Sequence, residues 1–221
     1  NKPGETFGVM YGYDWVKSLD QMKKQLKNGD NIDNYVVNSD GYVILKGTEG
    51  TKDEKPIKLL DEAGQPFFGK IADMNPDFNL SLNSIITWKK ITISMLWHWK
   101  QGGDIYNYTK QNLFLDKRAG VFDQSSKEEY QKKTVDYYYT FYDAFQANSF
   151  FVEDGTYMKL REFAIYYDFG AFKTKLNFIK GGKIGILGRN LLTFTKYSGW
   201  DPEVASGSDR TNFIVDIFNY P

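Results

Sequence analysis

Alternation of apolar and polar residues is clearest between Asn75 and Lys100. Leu80, Leu82, Ser84, Ile86 and Trp88 alternate with Asn79, Ser81, Asn83, Ile85 and Thr87, and in an extended strand the two sets fall on opposite faces. After Lys89-Lys90 the pattern resumes. Ile91, Ile93, Met95, Trp97 and Trp99 take one face, and Thr92, Ser94, Leu96, His98 and Lys100 take the other. The spacing predicts two strands of about ten residues joined by a tight basic turn, the length that crosses a bilayer as tilted strands. Trp88 stands beside the turn and Trp97 and Trp99 at the far end, where rings meet headgroups at two interfaces. A soluble hairpin laying the same face on a core is the competing reading. If the face meets lipid, a lysine at Ile86 or Ile93 costs about 2 to 4 kcal/mol.

A second alternating region begins after Asp154-Gly155, within Phe150 to Asp168. Tyr157, Lys159 and Arg161 alternate with Met158 and Leu160, and then the apolar face switches to Phe163, Ile165 and Tyr167, which predicts a bulge. Gly170 to Gly182 reads as a compact connection with a helical turn at Phe172 to Phe178. Lys183 to Asn190 is the next strand; Leu191 to Thr195 then emerges into an aromatic loop that breaks at Ser198-Gly199 and turns at Trp200-Asp201-Pro202-Glu203.

The remaining segments are less regular. Thr6 to Trp15 reads as irregular extended chain, and Leu19, Met22 and Leu26 predict a short amphipathic helix over Ser18 to Leu26. Asn28 to Pro66 reads as loop with one short strand, Tyr42 to Lys46. Within it, Asn38-Ser39-Asp40-Gly41 resembles the middle of a calcium loop, but Val36 and Gly47 would fall at its first and twelfth positions and offer no side-chain oxygen. A plain turn is expected. Between Gln101 and the next clear strand lie about fifty residues, a length at which connections carry function or their own structure. Ser125 and Ser126 each precede a glutamate by three residues, and Tyr138, Phe141, Tyr142 and Phe145 follow at helical spacing. A helix over Lys127 to Ala147 with an aromatic packing stripe is the expectation.

Composition narrows the chemistry. Lys and Arg number 28, as do Asp and Glu, so no basic excess points to nucleic acid. Cysteine is absent and His98 is the single histidine, which removes disulfides, thiolate metal sites and any site needing two imidazoles. Nothing calls for a cofactor or a metal. Aromatics reach 17% beside 25% charged residues, and mean hydropathy is −0.53. Those averages suit a soluble aromatic-rich module or a transmembrane barrel, whose alternation hides the lipid face. Loop lengths separate the two. With antiparallel strands, the short connections after Trp88 and Asp168 lie on one side and the long aromatic ones after Lys100 and Arg189 on the other, as in outer-membrane barrels.

Four motifs then coincide: Asn75-Pro76-Asp77-Phe78 with Trp88-Lys89-Lys90-Ile91; Gly102-Gly103-Asp104-Ile105-Tyr106-Asn107; Phe151 to Glu162; and Gly188 to Val204. In order and spacing, Asn75 to Pro221 resembles the late barrel of SusC/RagA-family TonB-dependent outer-membrane transporters, with a looser match through Gly8 to Gly12. The resemblance implies an all-β fold with short helices, part of an antiparallel, plugged transmembrane barrel of about 22 strands. It implies import of glycan fragments or peptides across the cell outer membrane, beneath a SusD-like surface lipoprotein and with energy from the TonB complex. The plug, the TonB-contacting segment, a signal peptide and the family's closing strand are not found in this chain, which opens Asn-Lys-Pro-Gly.

On this reading residues 1–74 form a loop-rich extracellular segment with one short helix, and 75–221 the late strands with their long loops. His98 and Lys100 face the lumen near the outer end of their strand. Tyr106, Tyr108 and Trp200 lie in outward loops where rings stack on sugars, the remaining ligand candidates. Asp201 and Glu203 form a carboxylate pair without a framed cleft, so no enzyme is expected. The alternative function is a soluble secreted module that binds carbohydrate or protein.

Overall fold

The computed structural model describes residues 4, 6–27, 29–143, 146–170 and 181–203. In chain order the strands are β1 (Val9–Tyr13), β2 (Tyr35–Val37), β3 (Val43–Leu45), β4 (Phe68–Asp73), β5 (Pro76–Trp88), β6 (Ile91–Gly102), β7 (Asp104–Tyr106), β8 (Val152–Asp154), β9 (Tyr157–Gly170) and β10 (Gly182–Thr195). Three short α-helices accompany them: α1 (Leu19–Gln25), α2 (Tyr108–Leu115) and α3 (Val135–Tyr139). Among the described residues no helix is long and apolar enough to cross a membrane. The chain divides into two compact units, one built from Asn75–Gly103 with Asp154–Ser198, the other from the segments around them.

The first of these is a single antiparallel sheet in the order β10-β9-β6-β5. β5 pairs with β6 and β9 with β10, β6 pairs with β9 across the long connection that holds β7 and β8, and Lys89, with φ 54°, turns the β5–β6 hairpin so that Trp88 faces Ile91. Register places the apolar residues in rows that cross all four strands. Ile86, Ile93, Ile165 and Ile186 make one row, Leu82, Trp97, Leu160 and Leu192 another, and Leu80, Trp99, Met158 and Phe194 a third. Every long-range pair keeps its faces matched because a one-residue slip would turn an entire apolar set over. The face is unpartnered along much of its area; Ile186 is 82% exposed.

The switch of apolar face after Leu160 is a bulge. Leu96 pairs with Glu162 and Trp97 with Leu160, leaving Arg161 as the extra residue. On the other side, Arg189 pairs with Glu162 and Leu192 with Leu160, and Asn190 adopts φ 51°. A bulge in β9 is thus matched by an irregularity in β10. Leu191 to Thr195, expected to leave the sheet, instead extends β10 until Thr195 faces Tyr157. The apolar alternation resumes at Leu192 and Phe194 once Asn190 has absorbed the irregularity. The helical turn expected at Phe172 to Phe178 lies outside the described residues.

The second unit holds the aromatic core. Trp15, Phe114, Tyr137, Tyr138, Phe141 and Phe151 are buried together, with Phe150 stacked on Phe141 at 3.9 Å between centroids. Helix α1 forms where expected: Ser18 caps it by accepting from Gln21 N–H, and Met22 is buried against Val16 and Val43. The stretch read as loop contains a further strand, β2, too short to show a period, which pairs with β3. Their turn is the Asn38–Gly41 segment. Asn38 Oδ1 accepts from Asp40 and Tyr42 N–H at 3.0 Å each, and Gly41 takes φ 83°.

The helix expected over Lys127 to Ala147 is not continuous. A single 3₁₀ turn occupies Glu129–Gln131, backbone at Lys132 and Thr134 is extended, and α3 then spans five residues with Thr134 as its cap. The cause is Lys133, whose ammonium reaches the buried Glu54 carboxylate at 2.7 Å. Asn38 Nδ2 and Gly50 N–H also donate to that carboxylate, at 2.9 and 2.6 Å. A buried charge must be paired and hydrogen-bonded, and meeting that demand outweighs the local capping signal.

Candidate functional site

A depression on the polar face of the sheet unit is lined by Ser81, Leu96, His98, Arg161, Glu162, Arg189 and Asn190, with a volume of about 520 Å³. In a regular strand Arg161 and Glu162 would project to opposite faces, as would Arg189 and Asn190. The β9 bulge and the irregularity beside it bring both consecutive pairs to one cavity. Arg161 Nη2 donates to His98 Nδ1 at 2.8 Å. Because a guanidinium only donates, this contact keeps the proton of a neutral His98 on Nε2. Arg189 Nε donates to Glu162 Oε1 at 3.1 Å. His98 also meets the Tyr157 ring edge-on, and Lys159, its pairing partner on β9, lies over the same ring.

The opposite face carries an apolar groove of about 280 Å³ formed by Leu80, Leu82, Trp97, Trp99 and Met158. Phe78 packs edge-on against Trp99 at 5.0 Å, and at the turn Lys89 lies over the Trp88 ring. Rings thus gather at both ends of the apolar face, with aliphatic side chains and Phe163 between them.

The residues expected to bind solute separate in this structure. His98 lines the polar cavity; Lys100, two residues on, shares its face. Tyr106 and Tyr108 belong to the aromatic unit. Tyr106 is 3% exposed, its hydroxyl donates to Gln111 Oε1 at 2.7 Å, and burial pushes its phenol pKa up. Its ring therefore packs in the core and presents no face to a sugar, which corrects the expectation. Tyr108 opens α2 behind the Asn107 cap and packs against the same core while half-buried. Trp200 is 91% exposed. Glu203 N–H donates to Asp201 Oδ1 at 2.8 Å, so Asp201 shapes a turn. Among the described residues no group of three His, Asp or Glu comes together to hold a metal.

Arg161, Glu162, Arg189 and Asn190 were not singled out from sequence. The break in alternation at Leu160–Phe163 was their signal, since a bulge re-aims the side chains beside it.

No protein-family model matches the chain. Over its whole length it is 25% identical to the TonB-dependent receptor P3 of Formosa agariphila, of which it spans 21%. Its fold is shared by solved structures of a transporter complex. The RagAB peptide importer in its open-open state matches 97% of the chain at TM-score 0.56 and 15% identity, and a further RagAB peptide transporter structure matches 88% at 0.55 and 16%. The chain covers 22% and 20% of those proteins. It therefore resembles about a fifth of a TonB-dependent receptor in sequence and shares the fold of a comparable part of the RagAB structures.

Proposed function

We propose that this chain supplies part of the wall of an outer-membrane importer for glycan fragments or peptides, acting with a SusD-like surface lipoprotein and driven through the TonB complex. One observation carries the reading: four strands of 13, 12, 14 and 14 residues form one antiparallel sheet with one exposed apolar face and one polar face. Exposed apolar area on that scale marks a membrane or protein interface. The length of the strands and the rings at both ends of the face favour the membrane.

β5 and β10 are edges of the sheet, and unpaired backbone groups in hydrocarbon cost several kcal/mol each. The function therefore belongs to a closed barrel in which further strands flank these two. Residues 1–74 and the long connection after β6 are assigned to the extracellular side, and the β5–β6 turn to the periplasmic side. His98 and Lys100 then face the lumen, with Tyr108 and Trp200 in the outward loops. A soluble carbohydrate- or protein-binding module would have to cover the isoleucine row by other means.

The test is fractionation and uptake. The full-length protein is expected in the outer-membrane fraction, to require detergent for extraction, and to co-purify with a SusD-like lipoprotein. Recovery in the aqueous phase without detergent would refute the assignment.

A further inference from the structure

The end of the sheet that carries the β5–β6 turn joins an apolar row to a basic rim. Trp88, Ile91, Tyr167 and Ile184 stand side by side across the four strands, and Trp88, Tyr167 and Ile184 are exposed. Lys89 and Lys90, which follow Trp88 in the turn, are exposed as well. The Lys89 ammonium lies over the Trp88 ring, 4.8 Å from its centroid, so its charge is held at the margin of the apolar face. Turn geometry does not call for lysine here. Lys89 takes φ 54°, a conformation in which tight hairpins favour asparagine or glycine.

Charge at this end is one-sided. Among the described residues Asp168 is the carboxylate there; its Oδ1 accepts from Gly170 N–H at 2.8 Å, and its Oδ2 lies 3.9 Å from the Lys183 ammonium. Lys183 therefore balances Asp168. Lys90 meets the same residue through its backbone carbonyl, which accepts the Asp168 N–H at 2.7 Å. The excess rests on the side chains of Lys89 and Lys90. In sequence, residues 171–181 between β9 and β10 include Lys173, Lys175 and Lys180 and no acid, so that connection brings no compensating charge.

Aliphatic groups, then rings, then lysines is the order of a bilayer surface read outward. Trp and Tyr settle at headgroup level, and lysine stems reach from there to water. A basic segment at that depth attracts anionic lipid, each lysine adding about fivefold in association.

We infer that the β5–β6 turn is a docking surface for a glycerophospholipid of net negative charge, its phosphate against Lys89 and Lys90 and its acyl chains on the isoleucine row beside Trp88. The inference rests on the reading of this face as the membrane wall of the importer, and goes beyond it by naming the lipid that the wall retains.

Trp88 supplies the readout. The full-length protein is reconstituted in phosphatidylcholine vesicles containing a small fraction of brominated phosphatidylglycerol or, in parallel, of brominated phosphatidylcholine. Bromine on an acyl chain quenches a neighbouring indole, and subtracting the signal of Trp88→Phe in each background isolates Trp88. Phosphatidylglycerol is expected to associate there at least about fivefold more strongly than phosphatidylcholine. Lys89→Asn with Lys90→Gln removes the preference; asparagine suits the φ of residue 89 and keeps the turn. Lys89→Arg with Lys90→Arg retains it, which a merely structural role for the two lysines would not explain.

Equal quenching by the two lipids in the native protein, or a preference that survives the loss of both lysines, overturns the inference and leaves the membrane wall standing. Quenching of Trp88 by neither lipid sinks the wall reading and the inference with it. If the lysine replacements instead release a co-purifying protein and the native protein shows no lipid preference, the turn binds an acidic protein and the inference is overturned.

Discussion

A lysine scan along the apolar face of β6 tests whether that face meets lipid. Ile91 and Trp99 are eight residues apart, and a rise of about 3.4 Å per residue gives about 27 Å of strand between them. Tilted by about 40°, this covers about 20 Å along the membrane normal, most of an apolar band about 25 Å tall. Met95 lies midway, in the row with Ser84, Phe163 and Gly188. Met95→Lys should therefore cost about 2 to 4 kcal/mol, and lysine at Ile91 or Trp99 only about 0 to 1 kcal/mol, with Ile93 and Trp97 between. At mid-strand that is about a thirty- to thousandfold fall in the folded-to-unfolded ratio. The assay is equilibrium unfolding of the full-length protein from lipid vesicles in guanidinium chloride. Ser94→Lys, on the opposite face of the same strand, is the control. A flat profile from Ile91 to Trp99, or a cost at Ser94 equal to that at Met95, would refute the argument.

Three further outcomes follow from the aromatic unit. Lys133→Met leaves the Glu54 carboxylate buried without its ammonium and should destabilise the unit by about 3 to 5 kcal/mol; protease resistance of residues 104–143 reports it, and wild-type resistance would contradict the role given to the pair. Gly12→Ala drives a Cβ into the Ala147 carbonyl, which accepts the Tyr13 N–H at 3.0 Å, at a cost of about 1 to 3 kcal/mol. Faster hydrogen exchange at Tyr13 is the expected readout, and unchanged exchange argues against the clash. The Tyr35 phenol donates to Asp30, and that hydrogen bond pushes its pKa up to about 12. The stabilisation it adds is complete below the ordinary tyrosine value of about 10 and is lost as pH rises through 12. Asp30→Asn should return the Tyr35 phenolate absorbance transition toward 10, and an unmoved transition would rule out Asp30 as the cause.

Much of the sheet was legible because period-two alternation is a local property of the backbone. Leu80 to Trp88 and Ile91 to Trp99 announce their faces without any knowledge of a partner, and the switch between Leu160 and Phe163 announces the bulge. Helix α1 was legible from Ser18 and the Leu19-Met22-Leu26 stripe. The long connection after β6 was not. Its overlapping capping boxes and aromatic spacing describe a helix that Lys133 interrupts to reach Glu54, 79 residues away in sequence. Helix α2, capped by Asn107, carries no amphipathic stripe that would mark it.

The candidate site divides in the same way. The sequence by itself determined which face of each strand is apolar, that the strands are long enough to span, and that His98 lies on the polar side. Only the tertiary structure decided that Arg161 and Arg189 share a cavity with His98, and that the Tyr106 ring is core rather than platform. The physical reason is that a side chain's facing follows from its neighbours along the chain, whereas its company depends on register and burial. Those are set by hydrogen bonds to distant segments, such as the one that joins His98 to Arg161 across 63 residues.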